Sequence, residues 1–454
     1  MEIEFYKKII RGEGINSLFI AATKPLTLVN GFVLLKFLSL RDFGLYNLVL
    51  SFQSIVSGFS INFLDTLVLN EMNIYNGQKQ PERARSILRE YSIFKIIVGL
   101  VLTLAVYGLA DRIGLYYGPD AGSWIRVIAF LFIIENTKAL VTLALEYRTN
   151  FLLSASYDFF YEVIKLVLIV VVFKYTTLNV QTMLILSVAT HLLIIPFLLP
   201  KILPDLMGKS TDKATLQATE SLLARLIKKY GPWAVARYYL LNFTQNVRPW
   251  VVKYFVGVEG VAIFSVALNF LGALKGLISF NSIKIFLPRQ LDNEEKLKDL
   301  YIRGGRYVTY AFFGIFLFGA TVVPILVNWI LPKYSPSLPY FFIVLASMLF
   351  FGVQSIIGQI LYSVRRQKEL FFIPVIGAGS IIFFNLILTP TLQLYGIALE
   401  FFLTQLLMTL AAYYFLLKEK PNFRLSFKSL LIFDEYDKLL FNRTLVTLRS
   451  KFGG

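Results

Sequence analysis

Cysteine is absent from this 454-residue chain, and histidine occurs once, as His191. The first absence excludes disulfides, thiolate metal ligands and a cysteine nucleophile. The second excludes a histidine-built zinc centre. Neither a metal nor a cofactor is expected. Charged residues are scarce at 16%, against about a quarter in soluble domains. Long polar connections are also scarce. The longest, 201–230, joins two apolar segments in mid-chain, and none on the opposite membrane face exceeds about a dozen residues. That leaves no room for a catalytic domain outside the apolar segments, so a glycan polymerase or ligase is disfavoured and no enzymatic activity is expected.

What is present is apolar. Such residues make up 56% of the chain, with 42 Phe. Apolar runs repeatedly reach ~20 residues, the length that crosses a hydrocarbon core about 30 Å thick. About twelve are read by hydrophobic pattern, near 15–37, 43–69, 91–110, 123–146, 157–174, 181–200, 231–255, 261–287, 305–331, 338–363, 369–389 and 394–417. The expected fold class is an all-α polytopic membrane protein. Lys7, Lys8 and Arg11 precede the first run. That run is too long for a signal-peptide core and lacks a small-residue cleavage pattern, so it reads as an uncleaved first span.

The net charge of +17 would suggest nucleic acid in a soluble chain. Here the cations sort by side. With the N-terminus inside, Lys and Arg in the connections favour that face by roughly six to one. The other face holds only Lys36, Arg41, Arg112, Lys174 and Lys333. Both termini are therefore expected in the cytoplasm, and no nucleic-acid partner is needed. The GKST at 208–211 lacks the upstream glycine of a phosphate loop, since position 203 is Leu, and carries no signal.

One stretch is written twice. Residues 37–52 read FLSLRDFGLYNLVLSF and residues 255–270 read FVGVEGVAIFSVALNF. Phe37/Phe255, Gly44/Ala262, Tyr46/Phe264 and Phe52/Phe270 correspond. Each copy is a helix end, a very short turn and a helix start. The expected organisation is 1–200 as a six-helix bundle, 201–230 as a basic cytoplasmic linker, 231–417 as a second six-helix bundle, and 418–454 as a basic, moderately amphipathic cytoplasmic tail. Transporters built from such repeats bind cargo where the halves meet.

A charge at bilayer depth costs about 2.5–3.5 kcal/mol on insertion scales and normally faces a bundle interior. Lys95, Arg126, Lys253 and Lys284 lie near span ends and are expected to snorkel. Lys138 follows Glu135, and Lys165 follows Glu162, by three residues; that spacing predicts same-helix ion pairs. Lys24, Arg237, Arg248 and Lys275 remain. They fall on the first, seventh and eighth spans, beside the repeated turns, and Arg248 precedes helix-weakening Pro249. Cations in a central cavity point to an anionic cargo, with phosphate the natural match. Asn30, Gln53, Gln245, Asn269 and Gln354 are candidate polar lining. Asp65 and Glu400 are candidate ion-coupling carboxylates for H⁺ or Na⁺.

The turn FLSLRDFGLYNLVLSF, its echo at 255–270, the six-plus-six plan and the basic spans one, seven and eight resemble the Wzx-type lipid-linked oligosaccharide flippases of the multidrug/oligosaccharidyl-lipid/polysaccharide exporter superfamily. The resemblance implies two six-helix bundles facing each other across a V-shaped cavity. It also implies an undecaprenyl-pyrophosphate-linked oligosaccharide (an O-antigen, capsule or exopolysaccharide unit of lipopolysaccharide type) crossing the bacterial inner membrane by alternating access. It implies membrane lipid and a glycan polymerase as partners. In it, Lys24, Arg248 and Lys275 match the diphosphate-holding role. Two alternatives stand beside it. A drug/cation antiporter of the same superfamily is disfavoured, because no acid lies between Ile15 and Phe37. A peptidoglycan lipid-precursor flippase has fourteen spans rather than twelve.

Overall fold

The computed structural model describes residues 2–118, 121–207, 221–277, 294–363 and 366–424. Among them the chain is helical. The helices are α1 (Glu2–Phe37), α2 (Leu40–Ser57), α3 (Phe63–Gly77), α4 (Pro81–Gly108), the single turn α5 (Ala110–Gly114), α6 (Ala121–Tyr147), α7 (Phe151–Tyr175) and α8 (Val180–Met207). They continue as α9 (Leu222–Asn246), α10 (Arg248–Phe255), α11 (Val258–Lys275), α12 (Glu294–Ile330), α13 (Leu338–Ala346), α14 (Met348–Ser363), α15 (Gln367–Leu392) and α16 (Leu394–Glu419).

All twelve predicted segments fall on these helices, the eighth as far as its described residues reach. Among the described residues, 10 helices are long and apolar enough to cross a membrane. The two predicted spans outside that set are α7 and the α9–α10 pair. The first carries Asp158, Glu162 and Lys165 within its apolar length; the second carries Arg225, Lys228 and Arg237 and breaks at Val247. Polar groups at bilayer depth must be satisfied inside the protein, so these two helices mark where a polar interior should lie.

The chain divides into two compact units, Met1–Val266 and Ala267–Gly454. In the first, α4 and α8 flank α6, α1 lies along α7, and α9 and α10 pack on α2, α3 and α4. Its core joins Val68 and Met72 to Ile87, Tyr91, Val141 and Ile202. In the second, α12, α14 and α16 associate and α15 pairs with α16, around Phe341, Ile357, Ile360 and Ile397. Residues 208–220 of the expected linker and 425–454 of the expected tail lie outside the described residues. Outward faces are apolar. On α4, Ile93, Ile97, Leu100, Val101 and Leu104 are exposed, and on α15, Ile382, Phe383 and Leu386. A lipid-facing surface is built this way, and a water-facing one is not.

The repeated turns differ in chemistry. In the first, Ser39 caps α2, its hydroxyl oxygen accepting from the Asp42 amide at 3.0 Å. This satisfies an orphan donor of the helix start. In the second, the matching position is Gly257 at φ +105°, a backbone that side chains rarely adopt. The copies also meet: a Cβ on Gly44 would lie 2.1 Å from the carbonyl oxygen of Val258.

Candidate functional site

Among the described residues of the N-terminal unit, adjoining cavities of about 340, 430 and 520 Å³ open. Asn62 and Glu135 line all three. The lining is drawn from polar stripes at helical spacing. Helix α6 supplies Glu135, Lys138, Thr142 and Glu146, α2 supplies Gln53, Ser54 and Ser57, and α9 supplies Tyr238, Asn242 and Gln245. Helix α7 adds Asp158, Tyr161 and Glu162, and α1 adds Thr23 and Thr27. Residues three, four and seven apart share one face of a helix, so each stripe points one way.

Glu135 sits where the cavities join. Its carboxylate accepts from Gln53 Nε2 at 2.6 Å and from Ser57 Oγ at 3.1 Å, both on α2. The predicted same-helix pair with Lys138 does not form. Lys138 Nζ instead reaches Asp158 Oδ1 on α7 at 2.7 Å and lies over the Tyr157 ring at 4.8 Å. Nor does Glu162 pair with Lys165. It accepts from Thr27 Oγ1 at 3.0 Å and Asn30 Nδ2 at 2.5 Å, both on α1, while Lys165 lies over the Tyr161 ring at 5.5 Å. The reason is common to both. Buried polar groups take the donors that neighbouring helices present, and those bonds also tie the helices together. His191 likewise bridges helices, its Nδ1 lying 2.7 Å from the Tyr157 hydroxyl and its ring stacked on Tyr161 at 4.4 Å.

Lys95 corrects a second expectation. It does not snorkel, being fully buried. Its ammonium lies 3.2 Å from Asp65 Oδ1 and donates to Asn62 Oδ1 at 2.7 Å and the Ser60 carbonyl at 3.1 Å. The Tyr91 hydroxyl also donates to Asp65. Breaking a buried pair by removing one member strands the other. Lys95→Met should therefore destabilise the N-terminal unit by about 3–5 kcal/mol. Adding Asp65→Asn should restore much of the loss, as measured by thermal unfolding in detergent.

Gln53, Gln245 and Asp65 line the cavities, and Asn30 braces Glu162 from behind. Lys24 is half-buried on α1 between the cavity-lining Thr23 and Thr27. Arg237 is half-buried on α9. Arg248 is buried at the break before Pro249, and its Nη1 donates to the Thr244 carbonyl at 3.0 Å. It thus satisfies a backbone group at the helix break. Lys275, Asn269, Gln354 and Glu400 belong to the C-terminal unit. Lys275 Nζ stands 3.1 Å from the Phe351 ring centroid and 5.7 Å from that of Phe401, an aromatic site suited to a cation. Asn269 is exposed, Gln354 accepts a hydrogen bond from Gln405, and buried Glu400 accepts from Thr404 Oγ1 at 2.8 Å.

Glu135, Ser57, Tyr238, Asn242, Asp158 and Glu162 are lining residues that the sequence reading does not single out. Their signal was present as the polar stripes on α2, α6, α7 and α9. A stripe is legible only from its residues together, and no one of them is marked by itself.

A family model described as "Polysaccharide biosynthesis protein" matches residues 33–339. No curated protein matches the chain. Several solved structures are similar to it in fold. One is titled "Inward-facing conformation of a multidrug resistance MATE family transporter of the MOP superfamily", with a TM-score of 0.72 and 12% identity over 89% of this chain and 94% of that one. A second is "Lipid II flippase MurJ, inward closed conformation", at 0.66 and 13% over 88% and 86%. A third is "Outward-facing conformation of a multidrug resistance MATE family transporter of the MOP superfamily", at 0.64 and 12% over 92% and 96%. Identities this low speak to fold alone.

Proposed function

Because the chain belongs to the polysaccharide biosynthesis protein family, matched over more than half of its length, we propose that it flips an undecaprenyl-diphosphate-linked oligosaccharide across the bacterial inner membrane by alternating access. The observation that carries the reading is that match, which contains both copies of the repeated turn. The fold is that of membrane transporters, among them a lipid II flippase.

Roles follow from charge. Lys275 is assigned to the diphosphate, as a point charge at bilayer depth for the phosphate oxygens. Lys24, Arg237 and Arg248 are assigned as further cationic contacts for the anionic end. The energy source is assigned to a proton or sodium gradient acting on Asp65 or Glu400. Both termini are assigned to the cytoplasm, and a glycan polymerase to the opposite face as the receiving partner.

The test is reconstitution. Purified protein in liposomes should move a fluorescent undecaprenyl-diphosphate oligosaccharide between leaflets, at least about tenfold faster than protein-free vesicles. No acceleration would sink the proposal. A second reading has one observation in its favour: Glu135 and Glu162 make no ion pair among the described residues, so the N-terminal cavities would tolerate an organic cation. An antiporter of that kind would lower rhodamine accumulation in expressing cells, and a flippase would leave it unchanged.

A further inference from the structure

The N-terminal cavities are lined by side chains that are acidic and neutral more than basic. Their ionisable lining is Asp65, Glu135, Lys138, Glu146, Asp158 and Glu162, with His191. Lys138 is paired with Asp158, and Asp65 with Lys95. Glu135, Glu146 and Glu162 are held by neutral donors: Gln53 and Ser57, Ser154, and Thr27 and Asn30. Among the described residues none of these three makes an ion pair. The lining of these cavities therefore holds more acidic than basic side chains.

The remaining lining is neutral and rich in hydrogen-bonding groups. The 430 Å³ cavity is walled by the carboxamides of Gln53, Asn62, Asn242 and Gln245, the hydroxyls of Ser54, Ser57 and Tyr238, and a single carboxylate, Glu135. Gln245 is exposed to the cavity opening and, among the described residues, its side chain makes no hydrogen bond. Carboxamides offer a donor and an acceptor side by side, and carboxylates accept from two neighbouring hydroxyls. Such a wall suits a sugar's vicinal hydroxyls.

The repeat sharpens the contrast. Position 57 on α2 corresponds to position 275 on α11. In the N-terminal unit it is Ser57, donating to Glu135 of α6. In the C-terminal unit it is Lys275, lying over Phe351 of α14. The same place in the duplicated scaffold holds a carboxylate's partner in one unit and an ammonium in the other.

We infer that the N-terminal cavities form the glycan-recognition subsite and select an uncharged, hydroxyl-rich oligosaccharide, with Glu135 rejecting glycans that carry a carboxylate. The inference rests on the flippase reading. It goes further in naming the class of sugar and the discriminating residue. Discrimination by repulsion is common where attraction alone separates similar ligands poorly, and like charges brought together in a desolvated site are strongly disfavoured.

The test uses the full chain in liposomes and two synthetic undecaprenyl-diphosphate trisaccharides. They differ only at C6 of each sugar, hydroxymethyl in one (glucose) and carboxylate in the other (glucuronate). Wild-type protein should move the neutral lipid at least about tenfold faster than the acidic one, in line with the penalty for juxtaposed like charges. In Glu135→Gln the ratio should fall toward one. Glu162→Gln provides a second variant, should Glu135→Gln fail to insert, and should shift the ratio the same way. Equal wild-type rates for the two lipids, or faster movement of the acidic one, would overturn the inference and leave the flippase reading standing. A ratio that neither substitution changes would overturn the role of the cavity carboxylates. Movement of neither lipid would overturn both.

Discussion

Lys275→Met should reduce glycan-lipid movement by roughly 10- to 100-fold while the protein inserts and folds normally. A charge-assisted hydrogen bond contributes about 1.5–3 kcal/mol, and each 1.36 kcal/mol is tenfold in rate. The comparison is made at matched amounts of folded protein, because the substitution also removes the contact of the ammonium with the Phe351 ring, which a thioether replaces only in part. Lys275→Arg keeps the charge and should retain a measurable fraction of transport. Normal movement in Lys275→Met, at normal protein abundance, would remove Lys275 from the diphosphate site.

The second large effect is steric. Gly44→Ala is a one-carbon change, and in an exposed helix it would add stability of about 0.5–1 kcal/mol. Here the added carbon would lie 2.1 Å from the Val258 carbonyl oxygen and 2.9 Å from Val258 Cγ1. The oxygen belongs to the backbone at the start of α11, anchored just after the positive-φ turn at Gly257, so nothing flexible can yield. The expected loss is about 3 kcal/mol, at the upper end for overpacking, with a matching fall in folded protein by size-exclusion chromatography. Gly31→Ala is the control. No atom lies within 4 Å of its ideal Cβ, so it should be neutral or mildly stabilising. Equal melting temperatures for the two variants would contradict the close approach of α2 to α11.

The two predictions differ in what a reader of the sequence could have foreseen. Lys275 stood out because cations are rare in apolar runs and each demands a reason. Gly44 did not, since its aligned partner is Ala262 and nothing local distinguishes the two. Only the fold, by bringing position 44 against Val258, shows that one must be glycine. Glu135 lies between these cases. Its stripe with Lys138, Thr142 and Glu146 was legible at helical spacing. The spacing also predicted pairing with Lys138, and the buried carboxylate bonds to Gln53 and Ser57 on another helix instead.

By itself the sequence determined the all-helical membrane fold and where its apolar helices lie along the chain. Those follow from composition and periodicity, which act locally along the chain: about twenty apolar residues span a bilayer wherever they occur. Tertiary structure decided which polar groups face each other. That is a property of helix pairs, and no spacing along one helix encodes it. It turned expected same-helix ion pairs into cross-helix bonds, buried Lys95 against Asp65, and gathered the carboxylates of α6 and α7 around cavities in the N-terminal unit. Of the three cations matched to the diphosphate by sequence, Lys275 belongs to the other unit.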